Sequence, residues 1–250
     1  SEGAVVPSSV TFDNATLPYA FSGDFGITGA TGIVKNGAAQ VTFSNVGNNL
    51  TGGVTVNAGT LVFQSAQTIA GGLTVNGGNL VLGAANTLSG NVVLNGAGSL
   101  TLGAAGALGS GNSLAFGSGA SGEFKLAGNA ATLSGLTTHA TVGTPTVVNG
   151  VSATTATLTV DVASGTQTFA GVLADGSLGT LAFAKSGAGT FVLTGANTLT
   201  GGTTVSAGAL QVGAGGSLGS ATIASGALLS FARGDAFTYA GATSGAGSVS

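Results

Sequence analysis

The chain has 250 residues and a net charge of −3, with charged residues at only 4% of positions, 48 glycines and no cysteine, methionine or tryptophan. A charge content far below the roughly 25% of an ordinary soluble domain leaves no basic footprint for nucleic acid or anionic lipid. Absent cysteine excludes disulfides, zinc–thiolate sites and thiol chemistry.

The hydrophobic fraction is 43% and the mean hydropathy +0.55, so this chain buries apolar surface where a disordered one would not. Gly, Asn, Ser or Thr interrupts every apolar run within a few positions. No run approaches the about 20 apolar residues of a spanning helix. A chain that starts at Ser1 and lacks methionine leads us to expect a removed leader or trimming.

Residues 1–25 hold Pro7 and Pro18, two of the three prolines, and read as an extended N-terminal segment. Val10 and Phe12 alternate with polar neighbours and predict a short strand there. Residues 26–250 read as one repetitive body. The segments 48–63, 67–82 and 86–102 align at a step of 19 residues. Three apolar columns result: Leu50, Ile69 and Leu88; Val54, Leu73 and Val92; Val56, Val75 and Leu94. Leu61 and Leu80 continue to Leu100 after a one-residue slip at 96–98.

Apolar residues come as i, i+2 pairs separated by glycine-containing turns, which is the strand period and too short a spacing for helices. Each unit is too small to bury its own face, so stacking of like units must bury it. The expected fold is all-β, a parallel β-solenoid of about 19 residues per coil. Hairpin-built sheets would show paired strands joined by two-residue Asn-Gly or Asp-Gly turns instead. Roughly 11 or 12 coils at the interstrand spacing would make a rod about 55 Å long.

Asn57, Asn76 and Asn95 share the step and predict an amide ladder, as do Asn48, Gln67 and Asn86. Gly52, Gly71 and Gly90 mark a corner that needs positive φ or has no room for Cβ. Between 115 and 184 the period blurs, with His139 and Pro145 inside it. Coils with altered corner lengths are expected there, an inserted module being the alternative. The period returns from 185: Phe191 to Leu210, Leu193 to Val212, and Leu199 to Leu218.

At 185–212 the sequence KSGAGTFVLTGANTLTGGTTVSAGALQV resembles the autotransporter-associated β-strand repeat, or passenger-associated transport repeat. Lys185, Gly187, Gly189, Thr190, Phe191, Leu193, Gly195, Asn197, Gly201, Gly202 and Thr203 carry the resemblance, Phe191 replacing the usual Leu and Leu199 the usual aromatic. A more worn copy at 35–63 keeps Lys35, Gly37, Val41, Phe43, Gly52, Gly53 and Val54. The resemblance implies a right-handed parallel β-helix outside a Gram-negative cell, usually within a large surface protein. No series of alternating ten-residue segments with aromatic girdles suggests an outer-membrane barrel in this stretch.

Catalysis finds little to work with. The acids are Glu2, Asp13, Asp24, Glu123, Asp161, Asp175 and Asp235, scattered along the chain, and His139 is the only histidine. Glycoside hydrolysis needs two flanking carboxylates and metal hydrolysis a cluster of ligands. Neither is legible, so no catalytic residue, cofactor or metal is assigned, and His139 reads as an exposed or corner residue. Glu123/Lys125 and Arg233/Asp235 are i, i+2 and predict exposed ion pairs. An ice-binding face would need an outward threonine column, yet Thr55 and Thr74 are followed by Val93.

The main expectation is an extracellular structural protein whose copies add head to tail into fibres. In that reading residues 4–12 act as a donor strand for a neighbour's open edge. The interface residues would be Val5, Val6, Val10 and Phe12 at one end and Phe237, Tyr239 and Val249 at the other. The alternative is a passenger fragment of an autotransporter adhesin, with an unidentified surface ligand.

Overall fold

In a computed structural model, described for residues 3–150 and 153–250, the chain winds into a parallel β-solenoid of about 11 turns. No helix forms among the described residues. Each coil visits three faces. The first is a seven-stranded sheet running from Val10–Phe12 through Ile33–Lys35, Val54–Val56, Leu73–Val75, Val92–Leu94 and Ser113–Phe116 to Gly135–Thr138. The second has eight strands, from Tyr19–Phe21 to Val172–Ala174. The third begins as four two-residue strands, among them Asn49–Leu50, Thr68–Ile69 and Thr87–Leu88.

The columns expected from the repeat are the columns of the core. Leu73 lies beside Val54 on one side and Val92 on the other, and Val75 beside Val56 and Leu94. Leu50 pairs with Ile69, and Thr87–Leu88 with Thr68–Ile69. All nine of these apolar side chains are buried. The slip at 96–98 is absorbed in a turn closed by Gly98 N donating to Asn95 O, after which Leu80 faces Leu100. Strand alternation explains the burial: inward residues meet their own kind one coil away, while their neighbours point outward.

The 19-residue step holds for the regular coils, but over the whole chain coils are about 21 residues apart. The difference accumulates in the middle, where Leu100 faces Phe124, Ala131 faces Leu158 and Ala156 faces Leu181. Among the described residues parallel pairing runs on through this stretch, Phe124 facing Val147 and Val147 facing Leu173. A six-stranded sheet, from Ala131–Leu133 to Thr243–Gly245, takes over the third face, its strands leading directly into first-face strands. The first face continues as five strands from Thr166–Phe169 to Ser248–Val249. Gln167 Oε1 accepts from Leu136 N at 3.2 Å and the Phe116 and Phe169 rings sit 5.9 Å apart across this join.

Within the N-terminal segment, Val10–Phe12 is a strand and forms the first rung of the first face, paired with Ile33–Lys35. Tyr19–Phe21 likewise pairs with Val41–Phe43. Aromatic contacts hold these strands in place, with Phe12 buried and Phe21 at the rim. Phe12 packs 5.4 Å from Phe21 and 5.8 Å from Phe43, and Phe21 stacks on Phe43 at 4.9 Å.

Glycine acts here by absence of a side chain. A Cβ on Gly71 would lie 2.4 Å from Gly53 N, and one on Gly90 2.4 Å from Gly72 N. Positive φ falls instead on the following Gly53 and Gly72, at 80° and 82°.

Candidate functional site

Two lysines define the repeat's corners. Lys35 and Lys185 sit in inward positions of apolar columns, Lys35 between Phe12 and Val56 and Lys185 between Val160 and Val205. Both are fully buried. Each side chain curls under the turn that follows it. Lys35 Nζ donates to Gly37 O and, on the next coil, to Ala58 O at 3.4 Å. Lys185 Nζ donates to Ser186 O, to Gly187 O at 2.8 Å and to Ala207 O of the next coil at 3.3 Å.

This arrangement explains the Lys-x-Gly spacing. The turn aims carbonyls inward at the lysine, half or fully withdrawn from water, and carbonyls left unpaired there are costly. An ammonium on a long flexible stem supplies several donors at once. Burial lowers both lysine pKa values below 10.5, partly offset by Asp13 near Lys35 and Asp161 near Lys185. The sequence carried the lysines as motif positions but did not show that they fold inward.

The same motif stands on different faces in the two halves. Lys35 and the 52–56 strand entry lie on the first face, whereas Lys185 and the 201–205 entry lie on the third. The long middle coils thus displace the repeat by one face of the triangle.

The polar column expected at Asn57, Asn76 and Asn95 is an amide ladder, and it starts one coil earlier. Asn57 Nδ2 donates to Asn36 Oδ1 at 2.7 Å, Asn76 to Asn57 at 2.7 Å and Asn95 to Asn76 at 2.9 Å. The buried column of Asn48, Gln67 and Asn86 works differently, with side chains serving the backbone. Asn48 Oδ1 accepts from Ile27 N, and Asn86 Oδ1 from Gln67 N at 2.9 Å.

Asp175 ties another corner. Its carboxylate accepts from Leu181 N at 2.7 Å, Thr200 N at 3.0 Å and Thr200 Oγ1 at 2.6 Å. Burial pushes its pKa up, but these three bonds outweigh it and the net shift is downward.

Outward faces are small and hydroxylated. The threonine column fails on the first face, where Thr55 and Thr74 give way to Val93. On the six-stranded sheet Thr132, Thr159, Ala184, Thr204, Thr222 and Ser244 follow in register, a row the 19-residue alignment did not reveal. Open troughs of about 390 and 270 Å³ lie over Gly201–Gly202 and over Gly52–Gly53, equivalent places in the two halves. Neither is lined by a charged group.

Val5 makes a parallel bridge to Ile27, and Val5 and Val6 are exposed at one end of the rod. Phe237 and Tyr239 pack against Phe231 at 5.7 and 4.9 Å at the other end, where Val249 is also exposed. The proposed interface residues therefore occupy opposite ends and do not meet within one chain. Val10 and Phe12 already lie in a strand paired on one side.

His139 is an exposed corner residue, its Nδ1 2.9 Å from Thr141 Oγ1. The two ion pairs form, Lys125–Glu123 at 2.8 Å and Arg233–Asp235 at 2.6 Å. Among the described residues no three His, Cys, Asp or Glu side chains come together as metal ligands, and no helix is long and apolar enough to cross a membrane.

The passenger-associated-transport-repeat family matches this chain at residues 33–63, 58–82 and 183–212. The first and third matches contain Lys35 and Lys185, and the second adds a lysine-free coil stacked on the first. The chain is also similar to the Adhesin BmaC autotransporter of Brucella suis biovar 1 (strain 1330), 43% identical over 88 residues. That alignment covers 34% of this chain and about 2% of the relative's length. No solved structure matches the chain. The chain is thus a β-solenoid in which the 33–82 and 183–212 stretches match passenger-associated-transport repeats.

Proposed function

We propose that this chain is a non-catalytic stretch of the extracellular passenger of an autotransporter adhesin, exposed on a Gram-negative cell. The observation that carries the reading is the lysine-tied corner. It recurs at Lys35 and Lys185 within the matched repeats, and the similar Brucella protein is named as an autotransporter adhesin. A rod of stacked coils suits display, because its length grows by adding coils while each coil contacts only its neighbours. The uncharged, hydroxyl-bearing troughs offer hydrogen bonds to an uncharged surface ligand without steering any charge.

The test places an epitope in the exposed turn at Ser177–Leu178 of the full-length gene product in its native host. Antibody should label intact cells, and external protease should remove the label. Labelling only after permeabilisation would overturn the surface assignment.

A second reading, end-to-end association of copies by strand addition, is supported by the outer edges of Val10–Phe12 and Tyr19–Phe21 and of Thr243–Gly245 and Ser248–Val249. Each of these strands stands last in its sheet. Concentrated protein should then form uniform fibres under electron microscopy, and monomers at every concentration would reject it.

A further inference from the structure

The exposed amide ladder contains its own chemical weak point. Asn76 is followed by Gly77 and Asn95 by Gly96, whereas Asn57 is followed by Ala58. A residue without Cβ leaves its amide nitrogen free to approach the preceding side chain. Asn36 also precedes a glycine, yet Gly37 N is engaged by Phe12 O at 3.2 Å, and Ala58 N donates to Lys35 O at 3.3 Å. Among the described residues Gly77 N and Gly96 N find no hydrogen-bond acceptor, Asn76 and Gly77 are both exposed, and Asn95 and Gly96 are half-buried. Asn149, the remaining asparagine before a glycine, is fully buried with its amide donating to Thr180 O and accepting from Gly128 N.

We infer that the ladder is a site of spontaneous self-modification, with Asn76 reacting first and Asn95 second. Gly77 N loses its proton to hydroxide and attacks Asn76 Cγ. The new N–Cγ bond forms as the Cγ–Nδ2 bond breaks, and Nδ2 leaves as ammonia after taking a proton from water. Water then opens the resulting succinimide at either carbonyl, giving aspartate or isoaspartate. The net change is amide and water to carboxylate and ammonium, the ammonia taking up the proton that the new carboxyl group releases, with no oxidant or reductant.

The consequence follows from the ladder's direction. Asn76 is the donor to Asn57 Oδ1 and the acceptor for Asn95 Nδ2. A carboxylate in its place still accepts from Asn95 but turns an acceptor against Asn57, so the ladder parts between the two coils. Each event also adds a negative charge to a chain that carries only −3.

The experiment ages the purified full chain in mildly alkaline buffer at body temperature and maps peptides by mass spectrometry. Expected is a one-dalton gain with isoaspartate, several-fold more at Asn76 than at Asn36 or Asn57 and with Asn95 between. Gly77→Ala should suppress the gain at Asn76 while leaving the strand spectrum unchanged, since Ala58 occupies the equivalent place one coil earlier and the added Cβ meets only Asn57 O at 3.1 Å. Equal rates at Asn57 and Asn76, or an undiminished rate in Gly77→Ala, would overturn the inference.

Discussion

Lys185 Nζ reaches the carbonyl of Ala207 on the following coil at 3.3 Å, spanning the gap that strand pairing leaves unbridged at the corner. Lys35 and Ala58 repeat the relationship at 3.4 Å on another face of the rod. The strands tie coils together along their sides; the lysines tie them at the turns.

Replacing Lys185 by methionine keeps the apolar stem and removes the donors. The half-buried carbonyls of Gly187 and Ala207 then lose this donor, at a cost of about 1–3 kcal/mol. A urea midpoint lower than wild type is expected, with the loss confined to the second half in hydrogen exchange. An unchanged midpoint contradicts the structural role.

Alkaline stability should report both lysines. Their folded pKa values lie below 10.5 because of burial, so the unfolded chain binds more protons in the window between. Stability therefore rises with pH through that window and levels off above the unfolded value. Tyr239, raised above 10.0 by burial, acts in the opposite sense. The measurement is consequently a difference between wild type and the Lys35→Met/Lys185→Met variant, whose alkaline gain should vanish.

Acid should act through Asp175. Burial alone would raise its pKa, but bonds from Thr200 and Leu181 hold it below 3.8. Stability from this group is complete above the unfolded value and lost as pH falls through the folded one. Asp175→Ala should lower the unfolding free energy at neutral pH by about 1–3 kcal/mol and flatten the acid limb of the stability curve. An acid limb identical to wild type would show that other carboxylates govern it.

Coil contact at the glycine corner predicts a sharp contrast. Gly71→Ala drives a Cβ to within 2.4 Å of Gly53 N, and the nearest atoms are all backbone of 51–53 on the preceding coil, which leaves no flexible group to yield. A loss well above the roughly 1 kcal/mol of an average substitution is expected, seen as reduced folded yield by circular dichroism. Gly234→Ala meets nothing within 4 Å and serves as the control, expected to behave as wild type.

Much of this was legible before any coordinates. Leu50, Ile69 and Leu88 announce a column because alternation and a constant step are properties of the chain itself. The ladder from Asn57 to Asn95 was readable for the same reason, and Asn36 escaped notice because it lies 21 residues before Asn57. The hydroxyl row from Thr132 to Ser244 was hidden by unequal coils, in which no fixed spacing links Thr159 to Ala184 and Thr204.

Local pattern by itself determined the all-β solenoid, its inward columns and the kinship of the 35–63 and 185–212 segments, because strand period and turn chemistry act between near neighbours. Only the tertiary structure decided that the lysines turn inward, that Phe12 joins the first rung and that the Lys185 corner stands one face away from the Lys35 corner. Those outcomes depend on which carbonyls and rings the adjacent coil presents, and that is set by corner lengths summed over the whole winding.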